Sequence, residues 1–400
     1  MVNTNSLSGL ISNLDDDTQD LHDLIASFLI DTEFRSEALA FTTHLVHDPK
    51  WLHALKKLNS SAEPDFGSIP FLKKSSDFDF IDLFAGIGGF RLALERSGGR
   101  AVFSSEWDPT AKAIYFKNHG DFPFGDINVF TGKQVSNDLL NELVPDHDFL
   151  AAGFPCQPFS AAGVSARGAI GQMHGFECKT QGTLFFSIKR IAEIKRPKVL
   201  LLENVKNILS HDRGKTFEII RESIESIGYC FDWKLLDAQT ITPQRRVRCF
   251  MVCVREDIYE ERGSFSFPDL PTTSLPLSSI LEGSPDPSYT ISERLWEGHC
   301  KRTKRNLERG TGFTAAMADV SRPSNTIVAR YGKDGKECLI PNRQGPPRFL
   351  TISECKKLFG YPDDFVLPPN RTPTYKLLGN SVVVPLVELL TGAIKDQYLT

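Results

Sequence analysis

The chain has 400 residues, 40% hydrophobic and 24% charged, with a net charge of −4. That is ordinary globular composition, enough for a large core and a smaller second domain, and it does not announce a generic polyanion binder. No apolar run approaches the ~18 residues of a membrane span, the start has no signal-peptide pattern, and the eight cysteines lack zinc spacing, so free thiols in a reducing cytoplasm are expected.

Charge is unevenly spread. Residues 1–79 carry 13 Asp/Glu against 6 Lys/Arg, and residues 291–350 carry 12 Lys/Arg against 6 Asp/Glu. If the protein binds a polyanion, the late segment is where contact is expected.

Residues 1–62 read as helical. Leu21, Leu24, Ile25, Phe28 and Leu29 recur at three- and four-residue spacing, as do Trp51, Leu52, Leu55 and Leu58. The plain reading is an acidic packing extension without chemistry. Residues 63–77, with Pro64, Gly67 and Pro70, read as a linker.

At Phe78 a β-rich run leads into Asp82-Leu83-Phe84-Ala85-Gly86-Ile87-Gly88-Gly89, and a helix follows. Strand, glycine turn and helix N-terminus make a nucleotide-type site. A second strand, Ala101 to Ser105, ends in Glu106, 20 residues beyond Gly86, where a carboxylate is placed for ribose hydroxyls. Trp107 can stack on a purine. A third unit ends at Gly125-Asp126-Ile127; Asp126 reads equally as an acceptor for an adenine amino group or as a turn aspartate.

The fourth strand, Asp148 to Ala152, runs into Gly153-Phe154-Pro155-Cys156-Gln157-Pro158-Phe159-Ser160. Proline rigidifies this corner and holds Cys156 at the carboxyl end of a strand, where open α/β sheets place chemistry. Taken alone, Cys156 reads equally as a small buried hydrophobe. The polar, glycine-rich stretch Ala161 to Gly175 reads as a lid. A fifth strand, Val199 to Leu202, ends in Glu203-Asn204-Val205, which sets a carboxylate on the same rim as Cys156. Strands Cys230 to Leu236 and Val247 to Val254 follow. Arg246 and Arg248, at alternate positions, project together. Residues 255–345 lose the α/β rhythm and read as a domain of short irregular strands, such as Thr326 to Tyr331.

In this order the motifs resemble those of the bacterial DNA cytosine-5 methyltransferases, from about Phe78 to the C-terminus. The resemblance rests on the cofactor loop at Asp82–Gly89, the nucleophile motif at Gly153–Ser160, Glu203-Asn204-Val205, Gln244-x-Arg246-x-Arg248 and Gly379-Asn380-Ser381-Val382-Val383. Gly310-x-Gly312-Phe313 and Ala329 to Gly335 are similar to the group acting on CC-GG-type sites. Where the family commonly has Glu between the two arginines, this chain has Val247.

The resemblance implies a doubly wound, Rossmann-like methyltransferase fold. Its mixed sheet would have about seven strands, the last antiparallel, with the C-terminal helix beside the first strand. The domains would be 1–77, a helical extension and linker; 78–254, catalytic; 255–345, an irregular β-rich target-recognition domain; and 346–400, a return to the catalytic domain. It implies S-adenosyl-L-methionine as cofactor, S-adenosyl-L-homocysteine as product, and no metal. The partner is duplex DNA; the chain is either the modification enzyme of a restriction–modification system, with a cognate endonuclease that acts on the same site without binding this protein, or an orphan methylase. The protein is expected to be monomeric, off the membrane, in the bacterial cytoplasm.

The implied chemistry is addition of the Cys156 thiolate to cytosine C6, which makes C5 enamine-like and able to take a methyl group. Arg246 and Arg248 would favour the thiolate, Arg248 would hold the base carbonyl, and Glu203 would face N3. Gln157 and Asn204 would support them. The target base must be flipped out of the duplex. Cofactor contacts carried over by match are Phe84, Ala85, Gly86, Ile87 and Gly89. Glu106, Trp107, Asp126 and Ile127 join them, as do Pro155, Leu184, Asn380 and Val382. DNA contacts are expected at Ser160, Thr326, Arg330, Tyr331 and Lys333. The rivals are an RNA cytosine-5 methyltransferase on the same catalytic domain, a DNA-binding repressor acting through the N-terminal helices, and a dinucleotide dehydrogenase, which explains only the first strand–loop–helix.

Overall fold

Strand β1 (Phe78–Leu83) hydrogen-bonds in parallel to β2 (Gly99–Ser105) on one side and to β3 (Phe149–Gly153) on the other. The computed structural model that shows this describes residues 76–119, 123–132, 135–155, 184–310, 315 and 317–400. The expected N-terminal helices, the linker as far as Ser75, and the stretch from Cys156 to Thr183, with its lid, lie outside the described residues.

β3 pairs in parallel with β4 (Val199–Val205), and β5 (Tyr229–Asp237) and β6 (Val247–Arg255) complete a six-stranded sheet of order β2-β1-β3-β4-β6-β5. Phe80, Ile81, Leu83, Leu150, Ala151 and Leu200 to Leu202 are fully buried. Strands covered on both faces favour apolar runs, as Leu150 to Ala152 and Val199 to Leu202 show, whereas β1 carries Asp79 and Asp82 among its apolar residues. The chain passes from β1 outward to β2 and then crosses to β3 on the other side. The switch point therefore lies between the carboxyl ends of β1 and β3, where an open α/β sheet binds ligand.

Seven strands were expected and six are found among the described residues. The third expected strand, ending at Gly125, is reduced to one parallel bridge from Phe124 to Ser105. Pro123 has no amide to donate, and Asp126 already caps helix α3 (Ile127–Thr131), so no length is left for a ladder. The other helices of this part are α1 (Gly89–Arg96), α2 (Pro109–His119), α4 (Asn137–Leu143), α5 (Leu184–Lys195), α6 (Lys215–Glu225) and α7 (Glu256–Arg262). The end of the chain returns beside the start of β1: Lys395 Nζ lies 2.5 Å from Asp77 Oδ2 and donates to the Ser97 carbonyl.

The described chain divides into two compact units. The first is residues 76–234 with Cys249–Phe265 and Ile394–Thr400; the second is Leu235–Arg248 with Ser266–Ala393. Residues 346–393, expected to rejoin the catalytic domain, thus cluster with 266–345. Their aromatic core explains the grouping. The Tyr331 ring meets those of Phe349 and Tyr375 edge-on, with centroids 5.5 and 5.0 Å away. Below it, Arg348 makes a bidentate ion pair with Glu354 at 2.7 and 2.8 Å, with side chains 5% and 0% exposed.

The second unit is not β-rich. Among its described residues outside β5 and β6, extended segments meet only in isolated bridges such as Met317 to Leu339 and Ile340 to Arg348. Thr326 to Val328 is irregular and runs into the one-turn helix α9 (Tyr331–Asp334), so the strand expected at 326–331 is absent. A sixteen-residue helix, α8 (Glu293–Glu308), was not anticipated. Helices α10 (Ile352–Phe359), α11 (Arg371–Asn380) and α12 (Val384–Ile394) follow. One 18-residue window inside Arg371–Leu399 has a mean hydropathy of 1.7, which by length and composition alone would suffice to cross a membrane. It is mostly buried in the fold and breaks at Ser381, as core helices do.

Candidate active site

The glycine loop is built from left-handed backbone. Phe84 has φ 58°, Gly86 57° and Gly88 86°, and Gly88 is the N-cap of α1. For a residue with a side chain, such as Phe84, this conformation costs about 1–3 kcal/mol. The two glycines serve different ends. A Cβ on Gly88 would collide with the ring of the buried His119, so that glycine is needed for packing. A Cβ on Gly86 would meet nothing within 4 Å, so this part of the loop faces open space.

Glu106 is tied to the loop. Its Oε2 accepts from Gly86 N at 2.8 Å and its Oε1 from Asp108 N at 2.7 Å, while burial pushes its carboxyl up from the usual range. Beside it Trp107 is 75% exposed. Glu106 N donates to Phe124 O at 2.8 Å and Ser105 Oγ to Gly125 O at 2.9 Å, which draws Asp126 and Ile127 to the same rim. Phe84 to Ile87, Glu106, Trp107 and Asp126 therefore converge on the carboxyl ends of β1 and β2. Asp126 Oδ1 accepts from Asn128 N at 2.9 Å and from Asn128 Nδ2, the capping geometry of the turn-aspartate reading. Leu184 opens α5 and is half-buried. Asn380 and Val382 belong to the second unit, Asn380 exposed at the end of α11 and Val382 buried.

Asp82 was quoted in the loop motif but given no role. It is fully buried, one residue before the end of β1, and neither carboxylate oxygen makes a hydrogen bond of normal geometry. Burial drives its carboxyl up to about 8, against the pull of the Arg91 guanidinium. A folded-state pKa above the unfolded one means that the folded form holds the extra proton. Stability is then greatest below pH ~4 and is lost as pH rises toward 8, by at most about 1.4 kcal/mol per pH unit. Asp82→Asn is expected to remove this slope, so its melting temperature should exceed that of the parent at pH 8 and not at pH 5. Parallel melting curves at both pH values would refute it.

On the other strand pair, Gly153 of β3 lies in register with Glu203 of β4. A Cβ on Gly153 would come 3.2 Å from the Phe90 ring and 3.5 Å from Glu203 Oε2. The missing side chain thus lets the helix of the cofactor loop, the strand leading to Cys156 and the Glu203 carboxylate meet at one point. The next residue is pinned as well: buried Asn204 donates from Nδ2 to the Phe154 carbonyl at 2.9 Å and accepts from Val205 N at 2.9 Å. The Phe154 ring packs on Phe185, centroids 5.8 Å apart. Pro155 is exposed and leads directly to Cys156, which with Gln157 and Ser160 lies outside the described residues. Cys249, the neighbouring thiol on β6, is buried, and burial with the Glu203 charge pushes it up to about 12. At that value it is no nucleophile.

Arg246 and Arg248 differ. Arg246 is 3% exposed, and its guanidinium donates to the carbonyls of Ile327 (2.9 Å), Gly379 (3.0 Å) and Ser381 (2.6 Å) while lying over the Phe359 ring. Buried Gln244 joins in, accepting from Ile327 N at 3.0 Å and donating to Leu358 O at 3.3 Å. These two form a clasp inside the second unit, a role that sequence reading missed; a buried Gln and Arg two residues apart were the available signal. Arg248 is half-buried, with one nitrogen on the Val247 carbonyl.

Of the expected DNA contacts, Tyr331 is corrected. It is fully buried, its hydroxyl donates to Cys338 O at 2.7 Å and accepts from Leu350 N at 2.8 Å, and its ring fills the aromatic core. Thr326 Oγ1 donates to Arg245 O at 2.6 Å. Arg330 and Lys333 are exposed on α9, Arg330 lying 3.5 Å from Asp334. Among the described residues no cluster of three His, Cys, Asp or Glu could hold a metal.

The sequence model of the C-5 cytosine-specific DNA methylases matches residues 78–396. The Type II methyltransferase M.SsoII of Shigella sonnei is 41% identical over 320 residues, 79% of this chain and 80% of that protein. The DNA-cytosine methyltransferase of Escherichia coli K12 is 38% identical over 357 residues, covering 77% and 75%. Among solved structures, the S. pombe Dnmt2 methyltransferase superposes with a TM-score of 0.57 at 18% identity over 80% of this chain and 98% of that one.

Proposed function

The chain belongs to the C-5 cytosine-specific DNA methylase family and is a sequence-specific DNA cytosine-5 methyltransferase; from that premise we propose how its residues divide the work. The observation that carries the proposal is the register of Gly153 with Glu203, which brings the strand leading to Cys156 beside a carboxylate and the cofactor loop.

The rim suits S-adenosylmethionine. The backbone at Gly86 is open, the adjacent Glu106 carboxylate is held in place by two amides, and the exposed Trp107 offers a flat face. Glu106 would take ribose hydroxyls and Trp107 the adenine. When bound, the cofactor supplies an electrophilic methyl group. Everything else falls to this chain and the base.

In our reading the Cys156 thiolate adds to C6 of a flipped cytosine, and Glu203, as a protonated carboxyl across from N3, gives its proton to N3 and so offsets the negative charge gathering in the ring. Asn204 fixes the Phe154 carbonyl and so aims the Pro155–Cys156 corner; it positions rather than reacts. Arg248 is assigned to the base carbonyl. Arg246 is moved from thiolate activation to positioning, because its charge is spent on three carbonyls and a ring. The second unit reads the DNA through Arg330 and Lys333, on a CC-GG-type core, and the protein acts as a monomer in the bacterial cytoplasm as the modification half of a restriction–modification pair.

Bisulfite sequencing of plasmid from cells expressing the chain is the test. Methylation of one cytosine within a single short duplex motif is expected. Unmethylated plasmid, or methylation without sequence preference, would overturn the reading.

A further inference from the structure

Helix α8 stands out in the second unit because its two faces do different things. Its inner face is bonded to both neighbouring loops: His299 is 1% exposed with Nε2 2.9 Å from Asp334 O, and Thr303 Oγ1 donates to Ala315 O (3.1 Å) and accepts from Ala315 N (3.0 Å). His299 and Thr303 are one turn apart, so one helix face holds both the Arg330–Asp334 turn and the segment after Gly312-Phe313.

The outer face is cationic. Residues 301–309 contain Lys301, Arg302, Lys304, Arg305 and Arg309 against Glu308 alone, and all six are exposed. At 100° per residue, Lys301, Lys304 and Arg305 lie within about 60° of the direction opposite the His299–Thr303 face. A helix end gains from a cation or two in its last turn; five cations to one acid over nine residues exceed that need. The local acids hold little of this charge: Glu297 lies 3.6 Å from Lys301 and Asp334 3.9 Å from Arg302, distances of loose surface pairs.

We propose that the outer face of α8 grips DNA phosphates flanking the base pairs read by the two loops it carries. The occupant is committed by charge complementarity and by continuity: the cations ride on the element that fixes the 315 segment and the 330–334 turn, so a duplex against those loops lies beside them. The contacts set affinity and register, not sequence. This rests on the second unit being the DNA reader.

The test uses the full chain with Lys301, Lys304 and Arg305 all changed to Gln, and a duplex bearing the methylated site. Binding is followed by fluorescence anisotropy across a salt series, beside steady-state kinetics. Each lost phosphate contact should lower the slope of log K against log salt by about 0.9, so a fall of about 2 to 3 is expected. KM for DNA should rise about tenfold or more at 150 mM salt, with the loss falling on KM rather than kcat and with bisulfite sequencing finding the same site. The Lys301→Arg/Lys304→Arg variant, which keeps the charge, should keep the slope. An unchanged slope in the Gln variant, or a changed site, overturns the proposal. Arg330→Ala separates the two readings: if it leaves sequence preference intact while the α8 slope falls, the loop assignment fails and the phosphate grip stands.

Discussion

A Cys156→Ser variant is expected to lose methyl transfer by more than about 10³-fold, the scale on which removing a covalent nucleophile acts. After addition to C6 and methylation of C5, the adduct can break down only if C5 gives up its hydrogen as a proton. Fluorine at C5 cannot leave as a cation. DNA with 5-fluorocytosine at the target, with cofactor, should therefore hold the parent protein as a detergent-resistant adduct, and Cys156→Ser should form none. Four of the other thiols, all buried, are poor competitors. Cys249 and Cys338 are pushed up to about 12, and Cys253 and Cys355 well above the usual thiol range, each chiefly by burial. A cross-linked peptide containing any cysteine but Cys156, or undiminished methylation by the Ser variant, would reassign the nucleophile.

The second large effect is on stability. Arg348→Met should cost about 3–5 kcal/mol, because it leaves the fully buried Glu354 carboxylate without its bidentate cation. Glu354 also accepts from Thr351 N and Glu282 N, so it cannot turn away to water without dropping the cap of α10. Arg348→Met/Glu354→Gln should recover most of the loss, since a neutral amide no longer needs the counter-charge. Urea denaturation midpoints measure both. A single variant within about 0.5 kcal/mol of the parent would mean that the pair is dispensable.

What was legible in the sequence is what local chemistry dictates. The apolar run at Val199 marked a strand buried on both faces, and the β-rich run at Phe78 with the glycines after Leu83 marked a strand and its turn. Glu106 and Glu203 could be placed on one rim because each directly follows such a run. The failures came where tertiary packing decides. Thr326-Ile327-Val328 is β-branched, yet the Ile327 amide and carbonyl go to Gln244 and Arg246 and the Val328 carbonyl to Tyr331 N, not to a neighbouring strand. Tyr331, next to an arginine, looked like a base contact, but two ring neighbours and two hydroxyl partners make it core. Helix α8 escaped notice because its buried side carries His299 and Thr303, not an apolar stripe. Ser292, whose side chain accepts from Leu295 N, was its one start signal.

The clasp of Gln244 and Arg246 bears on how such a protein can change its target over evolution. Recombination that exchanged residues 255–345 as a cassette would part Ile327 from Gln244 and Arg246, and Ser324 from the Arg245 amide that donates to it at 2.8 Å. The incoming segment would meet a foreign clasp. A transferable specificity cassette must carry residues 235–248 as well, and the stretch as far as 393, as two separate inserts with four crossovers. On the reading that the second unit chooses the site, point substitution at the exposed Arg330 and Lys333 is then an easier route to a new site than wholesale exchange, and hybrids made in the laboratory should be joined between 234 and 235, 248 and 249, 265 and 266, and 393 and 394.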